Sequence, residues 1–307
     1  GTPGVLPTVS ARILSTSEGT NRASFTPLDW ALFSSISLIW GSSFLFMAIG
    51  LDAFHPGLVT LLRVGLGAAV LALLPRARHR IDRIDRPRLL VLSVLWVAIP
   101  FTLFPIAQQW IDSAVAGMLN GAMPIFAAVI ASLMLRHAPA PVHIVGLVVG
   151  FVGVVLISLP SIDQGASQAL GVVLVVGATL CYGLAVNIAA PLQQRYGSLT
   201  VMARMLVLAT LWTAPYGLYG LARSEWAAAS AAAVTAAGVL GTGIAFVIMG
   251  TLVGRVGSTR ASFITYLIPV VALILGVAFR AERVGMLAVI GVVLVIAGAV
   301  LASRRDR

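Results

Sequence analysis

The sequence predicts an all-α integral membrane protein, with ten transmembrane helices in a 5+5 inverted-topology repeat. Three observations predict it. The chain is 59% hydrophobic and 10% charged, with a mean hydropathy of +1.03, whereas a soluble domain carries about 25% charge. A long stretch occurs twice. Sliding the chain by 145 positions puts Ser113 on Ser258, Ala116 on Ala261, Pro124 on Pro269, Gly146 on Gly291, Gly153 on Gly298 and Ser158 on Ser303, with no gap over 46 positions. All twenty basic residues are arginine, and they are unevenly placed along the chain.

Apolar runs long enough to span a bilayer, about 20 residues each, fall at 29–50, 56–74, 89–109, 112–134, 141–159, 169–190, 198–220, 230–252, 258–279 and 284–302. Residues 29–159 form a first five-helix repeat and 169–302 a second. Residues 1–28 are expected to be a disordered tail and 303–307 a short C-terminal one. Five helices per half is an odd number, so the second half crosses the membrane in the opposite sense to the first. With the N-terminus inside, fifteen arginines lie in inside segments and three (Arg223, Arg280, Arg283) in outside loops. That bias places both termini in the cytoplasm, and the expected location is a bacterial inner membrane. Contact with anionic lipid explains the net charge of +10, so no nucleic-acid partner is invoked. The single cysteine, Cys181, reads as a small packing residue. A monomer is expected.

Helix 1 carries Trp40-Gly41-Ser42-Ser43-Phe44 near its middle. Tryptophan prefers the membrane interface, so a mid-bilayer Trp beside two hydroxyls reads either as interhelical packing or as a cavity wall. The matching place in helix 6 is Tyr182-Gly183, with Asn187 five residues on. A buried amide needs partners, in protein or in substrate. Arg63 in helix 2 and Arg204 in helix 7 each lie about 10 Å inside their helices. An arginine in a span costs roughly 2.5–3.5 kcal/mol on insertion scales. Two roles are open to them: tying helix ends through carbonyls, or docking a carboxylate or phosphate. Asn120 and Met123 in helix 4, and Tyr266 in helix 9, complete the expected lining of a central cavity for a small-molecule substrate. Pro124 and Pro269 interrupt helices 4 and 9 and are expected to set the gates. Pro100 and Pro105 should bend helix 3. The glycines of helices 5 and 10 read as packing faces, and the basic loop 75–88 as a solvated or lipid-headgroup face.

The Trp40 box, Arg63, the small-residue helix with Pro124 and its copy with Pro269, and the Gly-rich helices 5 and 10 together resemble the drug/metabolite transporter superfamily. The nearest likeness is to its ten-helix EamA-type exporters, amino-acid exporters among them. The resemblance covers nearly everything from 29 to 303. It implies export of amino acids or similar small metabolites through a central cavity between helices 1, 3, 4, 6, 8 and 9. The family pattern often has a Gly-Glu pair just after helices 4 and 9. Glu282 fits the second, and Arg136-His137 stands in place of the first.

Other classes fit less well. The sequence has no H-E-x-x-H, no G-x-S-x-G and no Cys/His cluster. Without lysine there is no Walker lysine and no Schiff base, so neither an enzyme nor a cofactor or metal is expected. A channel or a non-transporting receptor stays open. So does a carrier of phosphorylated or nucleotide-linked sugars, although a phosphate site needs several cations. With the acids and histidines at helix ends or in loops, transport is not expected to couple to protons through a carboxylate.

Overall fold

In the computed structural model, residues 26–135, 141–256 and 264–302 are described. Residues 1–25 of the expected tail, the Arg136-His137 pair, the repeat positions Ser258 and Ala261, and Ser303 with the rest of 303–307 lie outside them. The described residues are helical, with no strand. In chain order the helices are α1 (Pro27–Leu51), α2 (Pro56–Ala72), α3 (Arg83–Ala107), α4 (Ser113–Met134), α5 (Pro141–Ile162), α6 (Ala166–Tyr196), α7 (Ser198–Leu221), α8 (Ala228–Leu252), α9 (Ile264–Arg280) and α10 (Met286–Leu301). Seven are long and apolar enough to cross a membrane, and α2, α9 and α10 are shorter. The outer surface is apolar, with Leu133, Leu211 and Phe279 exposed by about two-thirds or more. A water-soluble fold rarely leaves such a surface open. The protein is a multi-pass membrane protein.

Local chemistry sets where the helices begin and break. Thr26 and Asp29 form a capping box at the start of α1. In α4 the chain turns at Gly121-Ala122, between the helical stretches Ser113–Asn120 and Met123–Leu135. Pro124 has no N–H to return to the Asn120 carbonyl, so the ladder stops one turn ahead of it. In α3, Ser93–Ala98 winds as a π-helix just before Pro100, which relieves the clash between the proline ring and the preceding turn. Pro105 leaves the Phe101 carbonyl without a helical donor. The Thr60 hydroxyl of α2 takes it at 2.9 Å. A second π segment, Val239–Ile244, lies in α8. Ser93 and Val239 are 146 positions apart, one more than the repeat offset.

Helices pack across the two halves at glycine. A Cβ at Gly153 would stand 2.6 Å from the Gly291 carbonyl, and one at Gly298 would meet the backbone of Gly150 and Gly146. α5 and α10 therefore touch backbone to backbone. α2 and α7 meet at Gly57, Gly217 and Gly220, and α1 meets α9 at Gly41. The ends are tied by ions. At one end of α1, Arg255, on the helical extension of α8, holds the fully buried Asp29 at 2.6 Å. At the other, Arg280 grips Asp52 with both terminal nitrogens. The stretch 75–88, which the sequence marked as a loop but which includes the start of α3 at Arg83, is folded onto the ends of α6 and α7, where Arg195 pairs with Asp82 and Asp85. The buried apolar side chains form two clusters. The partly buried Trp40 and Tyr182 pack against both of them, which places these two rings at the seam of the molecule.

Candidate functional site

The seam is built from four helices. Trp40 of α1 donates its indole N–H to the Gly241 carbonyl at 3.1 Å. That carbonyl lies inside the π segment of α8, where widened winding frees backbone groups from the usual ladder; such segments are frequent at functional sites. Trp40 also meets Phe246 edge-on, with ring centroids 6.0 Å apart. Tyr182 of α6 stacks on Phe104 of α3 at 5.9 Å, and Phe104 meets Phe44 of α1 at 5.4 Å.

Arg63 enters from α2. It is 7% exposed. Its Nε reaches the Thr242 hydroxyl at 3.4 Å, one Nη reaches Met47 Sδ at 3.1 Å, and its guanidinium carbon lies 4.3 Å above the Phe101 ring. A ring face gives a desolvated cation up to about 2 kcal/mol and a thioether accepts weakly. These partners roughly offset the insertion cost of the arginine without neutralising its charge.

The other expected site residues are placed differently. The hydroxyls of Ser42 and Ser43 both bond back to the Ile39 carbonyl of their own helix. Asn187 donates to the carbonyls of Ala127 and Gly183, so it ties α6 to α4. The Tyr266 hydroxyl donates to the Ala299 carbonyl of α10. Asn120 keeps a buried Oδ1 with no donor, as does Gln108 at its Oε1. Met123 lies half-buried just past the break in α4. Arg204 is exposed and bonds the carbonyls of Arg78 and His79 in the 75–88 loop, so it does not join Arg63. Pro269 stacks on Gly121, at the break of α4.

Trp40, Tyr182 and Arg63 therefore come together. Phe101, Phe104, Thr242 and Phe246 join them, and sequence reasoning had not singled these out. A threonine between two glycines, Gly241-Thr242-Gly243, was the available signal for the third. Away from the seam, a surface pocket opens at helix ends between Trp110, Asp112, Ser161, Gln164 and Arg283. It contains none of the expected site residues.

The arrangement can hold a small molecule with one anionic group and an apolar body. It has one cation, aromatic walls and no carboxylate bonded to that cation among the described residues. Comparisons with known proteins agree on the class. An uncharacterised transporter of Archaeoglobus fulgidus is 22% identical over 90% of this chain and 99% of its own. The transporter YoaV of Bacillus subtilis, also uncharacterised, is 26% identical over 86% of this chain and 92% of its own. A protein of Streptantibioticus cattleyicolor named a probable terminal-alkyne amino-acid exporter is 26% identical over 90% of this chain and 93% of its own. A solved crystal structure shares the fold, with a TM-score of 0.62 at 18% identity over 91% of this chain and 97% of that one. The EamA-like transporter family model matches residues 30–159 and again 169–304. These two matches take in most of the sequence, and the chain belongs to the EamA-like transporter family.

Proposed function

We propose that this protein exports amino acids or similar small neutral metabolites by alternating access across a bacterial inner membrane. The observation that carries this reading is the seam, where two hydrophobic cores meet at Trp40 and Tyr182 beside the buried Arg63. A binding site of this kind is mostly apolar with a few placed polar groups. In the open states it becomes a central cavity, which Ser42, Ser43, Asn120, Met123, Asn187 and Tyr266 also line. Arg204 marks one end of the path, where it also holds the 75–88 loop. All ten helices span, the halves are related as an inverted repeat over 29–159 and 169–302, and both termini are cytoplasmic. Pro124, just past the break of α4, and Pro269, which packs on Gly121 at that break, act as gates. The protein is a monomer and carries out no covalent chemistry. A phosphorylated sugar is a poorer fit, because Arg63 is a single cation at the seam.

The test is uptake into proteoliposomes of labelled neutral amino acids beside labelled sugar phosphates. Uptake of the amino acids is expected. Uptake of sugar phosphates alone would contradict the reading.

A further inference from the structure

Arg63 differs from the described arginines that ion pairs or carbonyls hold. Arg195 pairs with Asp82 and Asp85, Arg255 with Asp29, and Arg280 with Asp52. Arg204 is held by two carbonyls. Each of these has a strong oxygen acceptor. Arg63 is the most deeply buried of them, yet its contacts are a threonine hydroxyl at 3.4 Å, a thioether and a ring face. Among the described residues, no carboxylate and no carbonyl bonds its guanidinium.

Arginine does not deprotonate in a usable range, so this charge persists within the span. A buried charge calls for a counter-charge or a strong oxygen acceptor, and none of the described residues gives it one. The Tyr182 hydroxyl, on the ring that packs against both cores at the seam, likewise has no hydrogen-bond partner among the described residues. One fork of N–H donors and one hydroxyl fit a monoanion with two oxygens in a plane. A phosphate dianion would need a second cation.

We infer that Arg63 and the Tyr182 hydroxyl take the carboxylate of the exported molecule, so that a free carboxylate is the group that admits a substrate to the site. Met47 Sδ and the Phe101 ring are the weak contacts that the carboxylate displaces. The aromatic walls formed by Trp40, Phe101, Phe104 and Phe246 then meet an apolar side chain. The inference rests on the amino-acid export reading and narrows it: esters, amides and decarboxylated amines of the same side chain are excluded.

The test uses the purified full chain in proteoliposomes, with labelled L-leucine and L-phenylalanine as probes. Competitors are the free acids 4-methylpentanoate and 3-phenylpropanoate, the two methyl esters, and the amines isoamylamine and phenethylamine. With wild-type protein, the free acids should compete at least about tenfold better than esters or amines, the range set by losing one charge-assisted hydrogen bond. Arg63→Gln should lose most uptake together with that discrimination. Arg63→Lys should retain part of both, and Tyr182→Phe should weaken competition by the acids several-fold. Esters or amines that compete as well as acids in the wild type would overturn the inference while leaving amino-acid export standing. Discrimination that survives unchanged in Arg63→Gln would overturn the role of this arginine. Absence of flux for either labelled amino acid would remove the export reading and this inference with it. If Arg63→Gln does not fold, the wild-type competition decides.

Discussion

Asp112 occupies the residue before α4, where a carboxylate ordinarily caps a helix, but its side chain makes no cap bond. Glu282, from the loop after α9, performs that task. It accepts from the N–H of Ser113 at 2.9 Å, the hydroxyl of Ser113 at 2.6 Å and the N–H of Ala114 at 2.8 Å. Three donors and the positive end of a helix hold its charge in place. Glu282→Gln should destabilise the folded protein by about 1–3 kcal/mol, read as a lower unfolding temperature in detergent. Asp112 sits beside this carboxylate. Burial, and then the Glu282 charge, push its pKa up from 3.8, while Arg280 pulls it down. The folded state therefore binds the Asp112 proton more tightly than the unfolded chain does. Its favourable contribution is complete below the unfolded pKa, about 4, and is lost as pH rises through the higher folded value. Asp112→Asn should raise the unfolding temperature at pH 7 and leave it nearly unchanged at pH 4. Equal shifts at both pH values would contradict this account.

The prolines and glycines of the helices carry the next layer of consequences. The Phe101 carbonyl is left free by Pro105 and taken by Thr60. Thr60→Val keeps the shape and strands that buried carbonyl, so a loss of about 1–3 kcal/mol is expected, measured by thermal unfolding. Pro124→Ala and Pro269→Ala should each slow turnover more than they weaken binding, because they close the breaks that let half-helices move. Equal losses in both would count against the gating role. The α5–α10 glycines and the interruption of α4 were legible in the sequence, because small residues and proline have few alternative meanings in an apolar helix. The break itself lies at Gly121-Ala122, ahead of the proline that causes it. The two π segments were not legible, since they differ from an α-helix only in which carbonyl each N–H reaches. Arg63 and Arg204 looked equivalent in sequence, which gives depth along a helix and nothing about what lies opposite. Neighbours from other helices separated them: a ring and a thioether for Arg63, two loop carbonyls for Arg204. Ser42 and Ser43 read equally as packing or as a cavity wall, and the turn of their hydroxyls back to Ile39 depends on rotamers that the sequence does not encode.

Over the whole molecule, the ties at the ends of α1 oppose each other across its length: Asp29 with Arg255 at one end, Asp52 with Arg280 at the other. Alternating access requires such ties to exchange, one side opening while the other holds. Among the described residues, no acid lies within the seam itself. Asp52, Asp112 and Glu282 all stand at helix ends. Transport is therefore expected to run on the substrate's own gradient. A pH gradient imposed at zero membrane potential should leave net accumulation at background. The central claim is that the family fold acts here as a carrier for neutral amino acids, and it is tested most directly by counterflow. Proteoliposomes holding wild-type protein are loaded with unlabelled L-leucine or L-phenylalanine and diluted into trace label. A carrier exchanges one molecule for another, so the account predicts a transient rise of label inside above the outside concentration, absent from vesicles without protein. Label that only equilibrates, at a rate unaffected by preloading, would contradict the account and mark a channel.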